Sequence, residues 1–320
     1  MKFEALKDKK RNVILSTDIA GDCDDVGAIK VMHSYADELG YDIIGVCNCT
    51  SRREGTATVY ALNKFLGRPD IPLGEYQKHT LPAVAESSKY IDEISARFGK
   101  DCHEPLPAAK FYRKLLANAE DDSVIIITIG FYTDMAELLM SGPDEYSPLS
   151  GVELMHRKVN CVVSMALKYP CGLEFNIRHA PDAAKTFFDN VPTNVFISDF
   201  DLGRGFRTGF YGIDKEEYKD NPVFESYRLF AEAYNLKNYD NNSYDLTAVH
   251  FAAVGEGEFY RIDSTPYRIE FYDDADQFTS NQQLKDAANR FVEDPHGNVY
   301  LIKAVDNAVI KAELDRRMIL

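Results

Sequence analysis

Four carboxylates, Asp18, Asp22, Asp24 and Asp25, crowd into the segment Ser16-Thr17-Asp18-Ile19-Ala20-Gly21-Asp22-Cys23-Asp24-Asp25. Acids this dense repel one another unless a cation neutralises them. Carboxylate oxygens suit a hard ion, Ca²⁺ or Mg²⁺, and Ca²⁺ is favoured because it tolerates bidentate carboxylates mixed with carbonyls and water. A plainer reading is a solvated acidic turn in which Asp24 or Asp25 caps a following helix. An EF-hand is excluded: counting from Asp18 or Asp22, the twelfth residues are Ile29 and His33, not Glu. A phosphate loop is excluded too, since it needs several glycines and a Lys.

The elements around this loop must place it at a sheet end. Val13-Ile14-Leu15-Ser16 reads as a strand. After the loop, Val26, Ile29, Met32, Tyr35, Ala36 and Leu39 recur at helical spacing, and Gly40 stops the helix. Asp42 to Cys47 is a second strand, and a helix over Ala57 to Leu66 follows, ended by Gly67. This strand–helix–strand order predicts right-handed crossovers and an open, mostly parallel sheet flanked by helices, the α/β class. In such sheets ligands bind beyond the carboxyl ends of the strands, where the loop lies. Val124 to Ile129 is a continuous apolar run suited to a central strand covered on both faces. Further strands are expected at Val159 to Ala166, Asn194 to Ser198, Tyr260 to Ile262, Tyr267 to Tyr272 and Asn298 to Ile302. Helices are expected from Asp182 and over Asp306 to Met318. Residues 76–110 read as a charged helical excursion over the sheet edge. No repeat or linker divides the chain, so residues 1–320 are expected to form one domain.

Composition narrows the partners. With 45% hydrophobic residues, 19 Tyr and 19 Phe, the chain can build a large core. A net charge of -15 repels phosphate backbones and argues against nucleic acid. No apolar run approaches the roughly 20 residues that span a bilayer, so no membrane partner is expected. Cys23, Cys47, Cys49, Cys102, Cys161 and Cys171 include no CxxC pair and are expected to be free and mostly buried, a cytoplasmic habit. The Met1 to Arg11 segment lacks a signal peptide's apolar core, although an exported chain shorn of its leader would look the same.

The acidic loop resembles the N-terminal signature of the inosine-uridine-preferring nucleoside hydrolases, in the variant with two extra residues before the paired aspartates. The resemblance runs along much of the chain. Gly130-Phe131-Tyr132-Thr133-Asp134-Met135-Ala136 is similar to the family's Thr-Gly-Pro-Leu-Thr-Asn-Ile-Ala element. Glu174-Phe175-Asn176, followed by Asp182-Ala183-Ala184, resembles its Glu-Phe-Asn segment and next helix. Ser243-Tyr244-Asp245-Leu246-Thr247-Ala248 stands in the place of its His-Asp-Pro motif, and Gly67-Arg68-Pro69-Asp70-Ile71-Pro72 matches a common turn. Each piece is weak alone; their shared order is specific.

The resemblance implies roles. Asp18 ligates Ca²⁺ and takes a proton from the attacking water. Asp25 and Asp245 are metal ligands, joined by the backbone carbonyl of Ile129. Asp24, Asn48, Glu174 and Asn176 hold sugar hydroxyls. The implied activity is Ca²⁺-dependent hydrolysis of an N-glycosidic bond, with carboxylates stabilising an oxocarbenium-like transition state. The implied substrate is a small ribonucleoside or related ribosyl compound, and the implied assembly a homo-oligomer, dimer or tetramer.

Plainer readings stand beside these. Asp245 could cap a helix, Glu174 could be a surface acid and Asn176 could cap a turn. Three departures from the family pattern matter. Ser16 replaces the first Asp of its Asp-x-Asp, a change expected to act behind the metal ligands. Lys168 or a neighbour stands where many members have a sugar-binding Asn. Tyr244 stands where many have the His that helps protonate the leaving base; a phenol, with a reference pKa near 10, is a weaker acid. Tyr244 is therefore the candidate donor or a stacking residue, with His79 and His103 as further candidates. Two other functions remain open: a Ca²⁺-dependent sugar-binding protein without turnover, and a hydrolase of another glycosyl compound. Keeping Asp18 favours turnover, since a binder has less need of a base.

Overall fold

The computed structural model describes residues 3–78, 90–213, 215–273 and 287–319. Its strands in chain order are β1 (Asn12–Thr17), β2 (Ile43–Asn48), β3 (Leu73–Glu75), β4 (Leu106–Pro107), β5 (Val124–Thr128), β6 (Val159–Met165), β7 (Cys171–Gly172) and β8 (Asn194–Ser198). They continue with β9 (Arg207–Phe210), β10 (Tyr239–Asn242), β11 (Tyr260–Ile262), β12 (Tyr267–Asp273), β13 (Ala287–Glu293) and β14 (Val299–Ala304). The central sheet runs β4-β3-β2-β1-β5-β6-β8-β14-β12-β13-β7, with β11 added on β14. From β4 through β14 every pairing is parallel; β12, β13, β7 and β11 join antiparallel. The expected α/β class is what forms, with an antiparallel extension on one edge.

Alternation along the strands explains the layering. Val13, Leu15, Ile125 and Ile127 enter one apolar cluster, while Ile14, Val124 and Ile126 enter the other. Successive side chains of a strand face opposite ways, so uninterrupted apolar runs feed both covered faces. The first face is covered by helices Asp24–Leu39 and Tyr244–Val254. Helices Ala108–Asn118, Thr133–Leu139 and Pro181–Asn190 cover the second.

Two features position the acids. Strand order reverses between β1 and β5, neighbours whose register pairs Ser16 with Thr128. At such a switch point the two following loops diverge and leave a crevice. The second is a close helix crossing: a Cβ on Gly27 would lie 2.3 Å from the Tyr227 hydroxyl and 3.1 Å from Leu246. Gly27 thus leaves room for Tyr227 and eases the packing of helix Asp24–Leu39 against helix Tyr244–Val254 near their N-termini. Asp25 and Asp245 sit at those termini.

Several expectations shift in detail. The second helix begins at Arg53, and Gly40 closes the first one in a left-handed conformation, φ 67°. The charged excursion is only partly an excursion: helix Tyr90–Phe98 lies there, but Leu106–Pro107 is the sheet's own edge strand and Ala108 starts a core helix. His79 lies outside the described residues. The antiparallel β9–β10 pair, β13 and the short β3, β4 and β7 had no counterpart in the sequence reading. All six cysteines are free, four of them buried. Among the described residues, no helix is long and apolar enough to cross a membrane.

Candidate functional site

β1 ends at Thr17, so Asp18 opens the crevice at the switch point. Gly130, one residue beyond Ile129, faces it: a Cβ there would fall 2.6 Å from the Asp18 nitrogen and 2.7 Å from its Oδ1. The glycine after β5 thus makes room for the Asp18 carboxylate. Asp24 and Asp25 occupy the first turn of their helix, but neither caps it; the N-cap is Cys23, with no side-chain bond. Asp245 likewise sits one residue inside its helix, behind an N-cap Ser243 whose hydroxyl bonds Thr208 at 2.6 Å rather than the helix amides. The plainer capping readings fail for all three. Helix N-termini carry partial positive charge, which favours acids in first turns.

The acids converge. One carboxylate oxygen from each of Asp24, Asp25 and Asp245 lies within 4.8 Å of the others, and all three residues are buried. The Asp245 amide donates to Asp24 Oδ2 at 3.0 Å, and the Thr17 hydroxyl donates to Asp25 Oδ1. Asp18 is not in this group of three but lines the same cavity, with Ile129 beside it. Asp24, expected to hold a sugar hydroxyl, lies in this close group with Asp25 and Asp245.

The cavity has a volume of about 490 Å³. Asp18, Asp22, Asp24, Asp25, Glu174 and Asp245 give it six carboxylates. Burial is the main reason each of these acids sits above its ordinary pKa, and neighbouring charges add to it in most of them. Asp24 and Glu174 push Asp18 further up, Asp18 pushes Asp25, and Asp24 with Asp25 push Asp245. Asp22 is raised less, because the Cys23 amide, Asn241 and Arg207 oppose its burial. Among the described residues, no Lys, Arg or His forms an ion pair with any of the six.

Oxygen donors, mutual repulsion and the lack of a pairing side chain are what a divalent oxygen-seeking cation satisfies. The residues present therefore fit a hard divalent cation, which Asp24, Asp25 and Asp245 could hold.

Glu174 is not a surface acid. It is buried and caps the helix Phe175–His179, accepting from the amides of Asn176 at 3.0 Å and Ile177 at 3.3 Å, and from Leu167 at 3.3 Å. Asn176 lines the cavity and donates to the Met165 carbonyl at 3.4 Å. Asn48 is a different case. Its Nδ2 donates to the Arg52 carbonyl at 2.9 Å and to Thr56 at 3.1 Å, and its Oδ1 accepts from the Thr50 amide and hydroxyl at 3.1 and 3.0 Å. Both ends of the amide are used inside its own loop, and it is absent from the cavity wall. The structure does not bring Asn48 to the sugar.

The opposite wall is aromatic. Phe175, Phe200, Phe230, Tyr234 and Tyr244 line it. Tyr244 stacks on Phe200 with centroids 5.3 Å apart and rings 21° from parallel, and its hydroxyl accepts from Asn242 at 3.0 Å. Burial raises its pKa, so it is a poorer acid than an ordinary tyrosine. His103 is exposed and edge-on to Tyr60, away from the cavity. No His, Lys or Arg lines the cavity among the described residues. Phe175, Phe200, Phe230 and Tyr234 were given no role in the sequence reading, and Asp22, read there as part of the acidic loop, was given none of its own; Asn241 donates to it.

No family model matches the chain, and no curated protein matches it. Solved structures do. An inosine-guanosine nucleoside hydrolase aligns with a TM-score of 0.68 at 16% identity, over 96% of this chain and 98% of that one. The purine-preferring ribonucleoside hydrolase from Gardnerella vaginalis gives 0.66 at 16% identity, over 96% and 98%. The inosine-uridine preferring nucleoside hydrolase from Bacillus anthracis gives 0.63 at 12% identity, over 96% and 99%. The chain has the nucleoside hydrolase fold over nearly its whole length, as its motifs suggested.

Proposed function

We propose that the protein is a Ca²⁺-dependent hydrolase of N-glycosidic bonds that acts on a ribonucleoside or related ribosyl compound. The observation that carries this reading is the convergence of Asp24, Asp25 and Asp245, far apart in sequence, at the carboxyl end of a parallel sheet. Several of the solved neighbours are nucleoside hydrolases, which makes the N-glycosidic bond the first chemistry to test.

Asp24, Asp25 and Asp245 would hold the ion, with the Ile129 carbonyl as the expected fourth donor. When bound, the ion supplies a grip on a sugar diol and lowers the pKa of water beside it. Asp18, at the same cavity, accepts the proton of the attacking water as general base. Glu174 and Asn176 orient the sugar, and Glu174 is pre-positioned by three backbone amides. The carboxylates face the carbon that gains positive charge as the base departs, which favours the transition state over the ground state. Tyr244, with Phe230 and Tyr234 on the same wall, offers the departing ring an aromatic surface. Tyr244 keeps its proton and serves as a hydrogen-bonding and stacking group more readily than as the acid.

The test is reducing-sugar release from a panel of purine and pyrimidine nucleosides and p-nitrophenyl riboside, with Ca²⁺ and with EDTA. Ribose release that requires the metal is expected. Metal-dependent sugar binding with no release from any compound defeats the hydrolase reading in favour of a binding protein.

A further inference from the structure

Two cations without a counter-charge lie against one ring of the cavity's aromatic wall. Lys168 Nζ lies 5.6 Å from the centroid of the Phe200 ring, and Arg204 Cζ lies 5.7 Å from it. Phe200 itself lines the cavity. Among the described residues neither cation meets a carboxylate within ion-pair distance. Arg207, the next basic residue, differs: Asp240 holds its Nε at 2.8 Å.

The placement is built rather than incidental. Lys168 follows β6, and Phe200 and Arg204 follow β8, the strand paired with it. The Phe200 amide donates to the Leu167 carbonyl at 2.9 Å, and Leu167 donates to Glu174. The cations therefore share a scaffold with the sugar-orienting residues, not with the metal-holding ones. Gly172 provides room for the Lys168 stem, since a Cβ there would lie 3.0 Å from its Cδ.

Resting on the hydrolase reading of the same cavity, we infer that Lys168 and Arg204 form an anion subsite for a phosphate carried on C5′ of the ribosyl substrate. A ribose gripped by its 2′,3′-diol at the aspartates presents C1′ and C5′ on its far edge. C1′ carries the base that the aromatic wall receives. C5′ is then the position from which a substituent leaves the sugar without displacing the diol or the base. A phosphate ester brings about -1.5 to -2 charge, which the six carboxylates would repel anywhere else along the wall. Lysine acts on phosphate as a point charge and arginine as a two-pronged donor. The substrate class is thus an N-ribosyl 5′-phosphate, as a monoester or as a diphosphate.

Calorimetry with ribose 5-phosphate and ribose, both in Ca²⁺, reads the subsite without turnover. Cleavage of a nucleoside, its 5′-monophosphate and its 5′-diphosphate then distinguishes the two phosphate sources. The wild-type protein is expected to bind ribose 5-phosphate about a hundredfold more tightly than ribose, the scale of two charge-assisted hydrogen bonds. Lys168→Gln and Arg204→Gln should each cut that ratio by about tenfold, and the ratio should fall as salt is raised. The phosphate-to-nucleoside ratio of kcat/KM should move in parallel. Equal binding of the two sugars, or a preference that survives both substitutions, overturns the subsite even if nucleosides are cleaved. A variant-sensitive preference for ribose 5-phosphate in a protein that cleaves nothing upholds the subsite and overturns the hydrolase reading instead.

Discussion

Removing Ca²⁺ should weaken the fold in a way that depends on pH and reverses the sign of one mutation. Three carboxylate oxygens within 4.8 Å of each other, if all charged, repel by at least about 3.5 kcal/mol per pair at an effective dielectric of about 20. Three such pairs approach the whole stability of a typical domain, about 5–15 kcal/mol. Without a cation, that repulsion favours the protonated carboxyls. These carboxyls have folded pKa values above the unfolded value near 4. Between these values the folded chain binds more protons than the unfolded one, so this contribution to stability is present near pH 4 and is lost as pH rises through the folded values. Ca²⁺ at 100 times its Kd adds about 2.7 kcal/mol. An unfolding entropy of about 2.1 cal/mol/K per residue converts that, over 320 residues, to a Tm rise of about 4 °C. Scanning calorimetry from pH 5 to 8, in Ca²⁺ and in EDTA, should show a gain that grows with pH. Asp245→Asn should raise Tm in EDTA at pH 7.5, because a repelling charge is gone, and lower it in Ca²⁺, because a ligand is gone. A pH-independent gain, or the same gain in Asp25→Asn and Asp245→Asn as in the parent, refutes the reasoning.

Three further outcomes follow from the site. Asp18→Asn should lower kcat for ribose release by about 10²–10⁴-fold, the usual worth of a general base, with a much smaller change in KM. Tyr244→Ala should raise KM about two- to tenfold through the lost aromatic surface, while Tyr244→Phe should change kcat little; steady-state kinetics on one nucleoside separate the two. Asn48→Ala should leave KM unchanged and cost about 1–3 kcal/mol of stability in denaturant titration, because it strands the loop groups that the amide satisfies.

What could be read from the sequence follows what is local. β1, β2, β5, β6 and β8 are apolar runs whose residues feed both faces, so their pattern marks them whatever their neighbours do. β9 and β10 carry Arg207, Thr208, Asp240 and Asn241, which read as loop until each strand supplies the other's hydrogen-bond partners. The acids were legible because their types and order persist, and the place of Asp24 in the close group with Asp25 and Asp245 is a matter of ångströms that order cannot fix. The aromatic wall was not legible, because Phe175, Phe200, Phe230 and Tyr234 come from or flank three separate helices with no shared spacing. Asn48 shows the opposite error: a polar residue at a strand end reads as a ligand until Thr50 and Thr56 are seen to absorb it.

One pair of departures makes sense only together. Ser16 stands where the resembled family has Asp, and Asp134 stands where its middle element has Asn. Viewed singly, the first loses an acid behind the metal site and the second buries one. In the structure Ser16 Oγ donates to Asp134 Oδ2 at 2.8 Å, Tyr112 donates to the same oxygen at 2.7 Å, and the Met135 amide donates to Oδ1 at 2.8 Å. The hydroxyl at the end of β1 thus meets the acid in the first turn of the helix that follows β5. Burial lifts Asp134 to about 6, against the hydrogen bonds of Tyr112 and Ser16 that hold it down. A carboxylate this enclosed persists because three donors converge on it. Two of those donors, Ser16 and Met135, belong to the segments that carry Asp18 and Gly130. The pair thereby ties the two loops of the crevice to each other, which is the placement a base beside a cation site requires.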